Sequence, residues 1–430
     1  VAESIKFIES KNTKARAVLI LAIVFALIFC WFAVSRQLGN MLAELTPTSA
    51  PNARQIAGTA VMLAPGDPLA KWLEAGVEKE VYSLEKIEKA VKLSEEAVRL
   101  SPYDFRWWVE LGRSYEQAEH YEQAENAFKR AVELAPSYAF PQWQLGNFYL
   151  RQNRSDEAFT ALQKATFDNL VYREQVFAIA WDYFDQDTAK VEAIAGDSPD
   201  VKTSLVKFYV AKERASDALR IWNSLSEEEK QANEPTGKLV AQVIYEKRFF
   251  RAANEFAKQV GIDPEAKIET ISNGGFEKAI GEPKDTYFGW KLTRAEKLDI
   301  KTDSTQKKEG SRSLRVLFTG HSGVDLINHI WQVAAVNPNQ KYRLKFWLKT
   351  ENLKSAGTPM IEIVNANDDK IITTSKPFPT GSNDWQEITM DFTTPENCEG
   401  ITIRTARAFC GEVCPIVGTF WYDDFSLSRL

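Results

Sequence analysis

The chain has 430 residues, 44% of them hydrophobic and 26% charged, and a formal net charge of −6 at pH 7. That length gives room for a membrane segment and two domains with cores of their own. The mild acidity provides no broad basic field, so nucleic acid is excluded as an expected partner. No phosphate-cradling glycine loop, HExxH or GxSxG occurs, and His120, His321 and His329 have no ligand spacing with the cysteines. Acidic pairs such as Glu95/Glu96 read as solvated helix faces, so no enzyme is expected.

Ala17–Val34 is a run of eighteen residues without a charge, Gly or Pro, about the minimum that spans a bilayer core. Lys6, Lys11, Lys14 and Arg16 precede it, and only Arg36 follows closely. The positive-inside bias therefore places residues 1–16 in the cytoplasm, a single transmembrane helix at 17–36, and everything downstream on the periplasmic or extracellular side. A cleaved signal ending near Ala33–Val34–Ser35 competes with this reading, but the apolar core is long for one. Residues 1–10 have Ile5, Phe7 and Ile8 spaced for a short amphipathic helix on the membrane surface. Residues 37–68, with Pro47, Pro51, Pro65 and Pro68, read as an extended linker with one helical turn around Arg54–Leu63.

Counting from Phe105, Trp108, Leu111, Gly112 and Tyr115 occupy positions 4, 7, 8 and 11, and Ala124, Phe128, Ala131 and Pro136 occupy 20, 24, 27 and 32. One period on, from Ala139, Leu145, Gly146, Tyr149, Ala158, Leu162 and Ala165 recur at the matching places. Weaker copies start near Pro199 and end with Val240–Val260, and Arg173–Ala195 reads as a poorly matched hairpin. Small residues at 8, 20 and 27 let two helices cross closely, and large ones at 4, 7, 11 and 24 fill the space between hairpins. This order resembles the tetratricopeptide repeat over about residues 69–262. The resemblance implies an all-α superhelix with a groove that docks a protein partner. Such an array can equally serve as a packing surface inside a larger assembly.

Past Gly261 the helical period stops. Alternating apolar runs at Ser313–Thr319, Ile327–Val336, Lys341–Thr350, Pro359–Asn365, Trp385–Thr393, Gly400–Ala408 and Gly418–Leu427 are separated by Gly, Pro, Asn and Ser. They predict an all-β sandwich over residues 263–430. The ordered set Asn273-Gly-Gly-Phe-Glu277, Gly289-Trp290, Tyr342–Trp347, Asp384-Trp385 and Gly418–Leu427 is similar to the jelly-roll carbohydrate-binding modules of xylanases.

Alternation puts Tyr342, Leu344, Phe346 and Leu348 in the core and Lys345, Trp347 and Lys349 on the opposite face. Trp331 shares a face with His329 and Val333. Trp331 and Trp347 are thus candidate glycan platforms, with His329 and Lys345 beside them to hold hydroxyls, unless a second layer covers the indoles. Trp290 and Trp421 read as core. The resemblance also implies a structural calcium held by Glu277 and Asp424, with Asp423 and Glu309 as neighbours.

Cys30 lies in the anchor. Cys398, Cys410 and Cys414 are on the exported side, where disulfides are allowed. Cys410–Cys414 is a candidate pair, and Cys398 with either partner is an alternative. The resulting expectation is a membrane-anchored, exported scaffold. It would bind a protein partner through the repeats and a polysaccharide through the sandwich, in cell-envelope polysaccharide assembly. A structural subunit of a large membrane complex without sugar binding is the alternative.

Overall fold

A computed structural model describes residues 13–166, 169–322, 325–411 and 414–430. The expected surface helix at 1–10 lies outside the described residues. The chain divides into two compact units, residues 1–196 and 197–430. The division falls inside the repeat array rather than at its end.

The first unit is helical: α1 (Thr13–Leu45), α2 (Ala53–Leu63), α3 (Pro68–Lys79), α4 (Leu84–Leu100), α5 (Phe105–Gln117), α6 (Tyr121–Leu134), α7 (Ala139–Arg151), α8 (Ser155–Ala165), α9 (Leu170–Tyr183) and α10 (Thr188–Ala195). The helix α1 is long and apolar enough to cross a membrane, by length and composition. Its apolar half is exposed, Phe25 at 72% and Trp31 at 69%. Its last turns are packed instead. A Cβ on Gly39 would stand 2.6 Å from Ala64 Cβ and 2.8 Å from the Ala60 carbonyl oxygen.

The stretch read as an extended linker is therefore structured. Residues 37–45 continue α1, and α2 makes about three turns, burying Ala53, Ala57 and Ala60 against Ala43, Leu73 and Val77. The prolines flank the helices instead of breaking them. Pro68 starts α3 behind Asp67, whose side chain accepts from the Leu69 N–H.

The repeat spacing has its expected physical meaning. A Cβ on Gly112 would lie 2.8 Å from the Phe128 ring, and one on Gly146 would lie 2.7 Å from Leu162 Cγ. Position 8 is thus small because position 24 packs into it. The hairpin turns also repeat. Glu119 and Asn153 are left-handed, at φ 62° and 58°. Behind them the His120 N–H donates to Tyr115 O at 2.8 Å and the Arg154 N–H to Tyr149 O at 2.9 Å.

The second unit begins with α11 (Pro199–Ala211), α12 (Ala215–Asn223), α13 (Glu227–Ala232), α14 (Glu234–Glu246) and α15 (Phe250–Gln259). The same turn marks these weaker repeats, with Glu213 at φ 61° and Arg248 at φ 66°. Gly237 again receives aromatic bulk, its Cβ position 2.8 Å from Trp222.

Among the described residues ten strands follow: β1 (Lys291–Leu292), β2 (Leu298–Asp303), β3 (Ser313–Ser322), β4 (Ile330–Ala335), β5 (Lys341–Lys354), β6 (Pro359–Asn365), β7 (Ile371–Thr374), β8 (Gly381–Thr393), β9 (Gly400–Arg407) and β10 (Ile416–Arg429). One sheet has the order β1-β4-β9-β6-β7 and the other β2-β3-β10-β5-β8, with antiparallel pairing between neighbours. Tyr342, Leu344, Phe346 and Leu348 of β5 point into the sandwich with Ile361, Ile363, Ile401 and Ile403 of the opposite sheet. Each such side chain contributes roughly 1.5–3 kcal/mol on burial. Phe346 stacks on Phe425 at 4.7 Å between centroids. Trp290 joins this core. Trp421 is buried too, but its outward-facing indole lies beneath the β2–β3 connection, Nε1 donating to Asp303 Oδ2 at 2.9 Å.

Candidate functional site

The sandwich has two outer faces, and the expected glycan residues are divided between them. Trp331 belongs to the β1-β4-β9-β6-β7 sheet, and Trp347 and Lys345 belong to the other. His329 precedes β4 in a turn, where Nδ1 lies 3.0 Å from the Thr293 carbonyl oxygen. The four residues therefore do not form one site.

On the first face, strand register lines up Lys291, Trp331, Arg404, Glu362 and Thr374 across five strands. Trp331 is half-buried and its ring is occupied: the Lys291 ammonium lies 4.4 Å from the indole centroid and 5.2 Å from the Tyr245 ring of α14. Such contacts are each worth about 0.5–2 kcal/mol. Arg404 is held by the buried Glu362 at 2.8 Å. Further along, Phe250 of α15 lies against Gly400, 2.6 Å from where a Cβ would stand. Arg248 donates to the Ala366 carbonyl at 3.1 Å and pairs with Asp369 at 2.8 Å. Val333, Ala335 and Val364 are buried in consequence. Sequence reasoning missed Lys291 and Tyr245, because a contact across 46 residues leaves no local periodicity.

On the second face, Trp347 lies opposite Asp423 of β10 and Glu387 of β8. The Lys308 ammonium rests over its indole at 4.3 Å. Beside it, β5 and β8 carry a row of ion pairs: Arg343–Asp391 at 2.6 Å, Lys345–Glu387 at 3.2 Å and Lys349–Asp384 at 3.2 Å. These side chains are partly or well exposed, and no helix covers them among the described residues.

The implied calcium ligands are rearranged. Asp424 is exposed and left-handed at φ 48°, whereas Asp423 is fully buried. The Asp423 carboxylate accepts from the N–H groups of Lys308, Glu309 and Asp424. Burial pushes its pKa up, against the lowering by these donors. Glu277 accepts from the Ser311 N–H and hydroxyl and from the Arg312 N–H. A Cβ on Gly275 would be 3.9 Å from Asp423 Oδ1 and 4.0 Å from Glu277 Oε1, so the two acids flank one position. Neither makes an ion pair among the described residues. Two carboxylates without an ion-pair partner beside one loop position are the oxygen donors a hard cation takes, and of the two closing-strand acids it is Asp423 that lies beside Glu277. A bulge between Asp423 and Ser426 interrupts the regular pairing of β10 at this point. Among the described residues no group of three or more His, Cys, Asp or Glu side chains is placed to hold a metal, so backbone oxygens would supply the remaining ligands.

Cys410 and Cys414 are joined by a disulfide, with Cα atoms 5.5 Å apart. Cys398 is a buried free thiol whose pKa is pushed up to about 12 by burial.

Residues 269–406 match the carbohydrate binding domain family, and residues 105–138 match the tetratricopeptide repeat. Both are non-catalytic modules. No curated protein matches the chain. Among solved structures, a chain titled "CBM4 structure and function" is 15% identical, covering 37% of this chain and 99% of its own, with a TM-score of 0.29. The Clostridium thermocellum xylanase 10B CBM22-1-GH10 structure, complexed with xylohexaose, is 13% identical over 33% of this chain and 26% of its own, TM-score 0.24. MamA from Desulfovibrio magneticus is 22% identical over 30% of this chain and 71% of its own, TM-score 0.26.

Proposed function

We propose that the protein is a single-pass, membrane-anchored adaptor with its N-terminus in the cytoplasm and its repeats and sandwich in the periplasm or outside the cell. The repeats bind a protein partner and the sandwich binds a glycan, in cell-envelope polysaccharide assembly; the chain itself catalyses nothing. The observation that carries this reading is the order of parts: one apolar helix, then a tetratricopeptide array, then a carbohydrate-binding-type sandwich on one chain. A calcium ion held by Glu277 and Asp423 would supply positive charge between the loop after β2 and the last strand.

The docking of α15 onto Gly400 favours a second reading, in which the sandwich is a fixed cap of a complex subunit. Pull-down in mild detergent through a C-terminal tag, followed by mass spectrometry, tests both. A stable set of envelope polysaccharide-assembly proteins is expected. A partner-free, monodisperse protein would overturn the adaptor and the subunit alike, and polysaccharide turnover by the purified chain would overturn the denial of catalysis.

A further inference from the structure

The two outer faces of the sandwich are not equally available. The face of the β1-β4-β9-β6-β7 sheet carries one aromatic among the described strand residues, Trp331, and Lys291 sits on that indole with Tyr245 of α14 beyond it. Phe250 and Arg248 occupy the end formed by Ala335, Gly400 and Ala366. The protein's own last repeat thus takes the place a ligand would need.

The opposite face is open where β5 and β8 run side by side. Arg343, Lys345, Trp347 and Lys349 alternate outward along β5, a strip of roughly 20 Å at about 3.3 Å per residue. The loop after β2 walls one side: Asp423 pins its Lys308 and Glu309 N–H groups, and the Lys308 side chain reaches over Trp347. The indole supplies a flat apolar surface, and each flanking pair presents an N–H donor and a carboxylate acceptor at fixed separation. Sugar hydroxyls, which donate and accept, match such pairs.

We propose that a neutral polysaccharide chain binds along this strip, stacked on Trp347 and hydrogen-bonded by the Lys345–Glu387 and Lys349–Asp384 pairs. Neutral is the class because Arg343, Lys345 and Lys349, the cations flanking Trp347 on β5, each already have a carboxylate, and Asp384 and Asp391 face solvent at 87% and 49% side-chain exposure. An acidic glycan would meet these carboxylates head on. Lys308 is the one cation of the strip without an acid within ion-pair distance among the described residues. It moves aside or donates to a hydroxyl when the ring beneath it is covered. The proposal rests on the glycan half of the adaptor reading and adds the face and the chemical class.

The test is native affinity electrophoresis of the full chain in detergent micelles, in gels containing xylan, β-1,4-galactan, hydroxyethylcellulose or polygalacturonate. Retardation by at least one neutral polymer and not by polygalacturonate is expected. Trp347→Ala should weaken it about tenfold or more, the loss typical of a central aromatic anchor. Glu387→Ala, on an exposed position that cannot threaten the core, should weaken it as well, and Trp331→Phe should leave it unchanged. Loss of retardation in Trp331→Phe with retention in Trp347→Ala and Glu387→Ala would overturn the choice of face. Retardation by polygalacturonate alone would overturn the class. Wild-type protein that runs freely in all four gels would overturn the glycan reading itself, and the strip with it.

Discussion

Phe250→Ala tests whether the last repeat and the sandwich unfold as one body. Phe250 is 4% exposed, meets Tyr245 edge-on at 5.5 Å between ring centroids, and abuts the Cα of Gly400. Truncating a buried Phe to Ala costs about 3–5 kcal/mol when the surroundings relax only partly. In a unit of 150–250 residues each kcal/mol shifts the melting temperature by about 2–4 °C, so a fall of roughly 6–20 °C is expected. Unfolding should be followed peptide by peptide through hydrogen exchange at rising temperature, with α14 and α15 giving the helical signal and β4, β6 and β9 the sandwich signal. Both signals of the second unit should move together.

Gly400→Ala sharpens the experiment. Its new methyl would meet the Phe250 ring at 2.6 Å, an overpacking cost of about 1–3 kcal/mol. In the Phe250→Ala background the ring contacts are gone and only the Cβ at 3.1 Å remains, so most of that cost should disappear, giving a coupling energy on the order of 1 kcal/mol in a double-mutant cycle. A loss under about 1 kcal/mol for Phe250→Ala, or a shift confined to the helical signal, would refute the docking.

Other outcomes follow from single contacts. Gly112→Val should destabilise the first unit by about 1–3 kcal/mol through the Phe128 ring, whereas Gly58→Ala, with open space around its Cβ position, should stabilise by about 0.5–1 kcal/mol; equal effects in chemical denaturation would contradict the packing. The Arg154 guanidinium, with Lys129 and the Tyr149 hydroxyl, holds the Glu125 carboxyl down to about 2, from 4.5. Its stabilisation is therefore complete above pH 4.5 and is lost as pH falls toward 2, so the acid-induced drop in melting temperature should shrink in Glu125→Gln. Added calcium should raise the melting temperature of the wild type by ligand linkage and of Asp424→Asn, but not of Asp423→Asn; equal responses in all three would remove the ion from this site.

What the sequence revealed and what it concealed separate along contact range. The repeat positions were legible because Gly112 and Phe128 lie on neighbouring helices, and the position-15 turn makes the weak copies from Pro199 onward recognisable in three dimensions. The inward run of β5 was legible from strict alternation. The short strands β1, β2 and β7 were not, since two to six residues carry little periodic signal. The segment with four prolines misled because prolines at helix starts look the same in sequence as prolines in extended chain. Trp331 was placed on the correct strand, but its cover comes from α14 and β1, which no spacing rule connects to it.

The covered face makes one more claim that can be measured, through Lys291. Its ammonium is buried between two aromatic rings, with the Tyr245 hydroxyl at 3.5 Å. Burial pushes its pKa down, and the more distant Asp263 carboxylate only partly offsets this. In the unfolded chain the group titrates near 10.5, so between the folded and unfolded values the unfolded state binds more protons. Stability must then rise with pH across that window. The cation–π contacts, about 0.5–2 kcal/mol each, act against this loss of hydration. Lys291→Met keeps the length of the side chain and removes the charge. It should be near neutral or mildly stabilising at pH 7, as for other buried charges replaced by apolar groups of similar volume. The rise in melting temperature as pH climbs toward 10.5 should be smaller than in wild type. Tyr245 and Tyr287, both raised by burial, act in the opposite sense as pH approaches 10, where unfolded tyrosine is half ionised, but equally in wild type and variant, so the difference between the two isolates Lys291. A Lys291→Met variant that keeps the full alkaline rise would mean that the amine is hydrated, and that the Trp331 face is open to solvent after all.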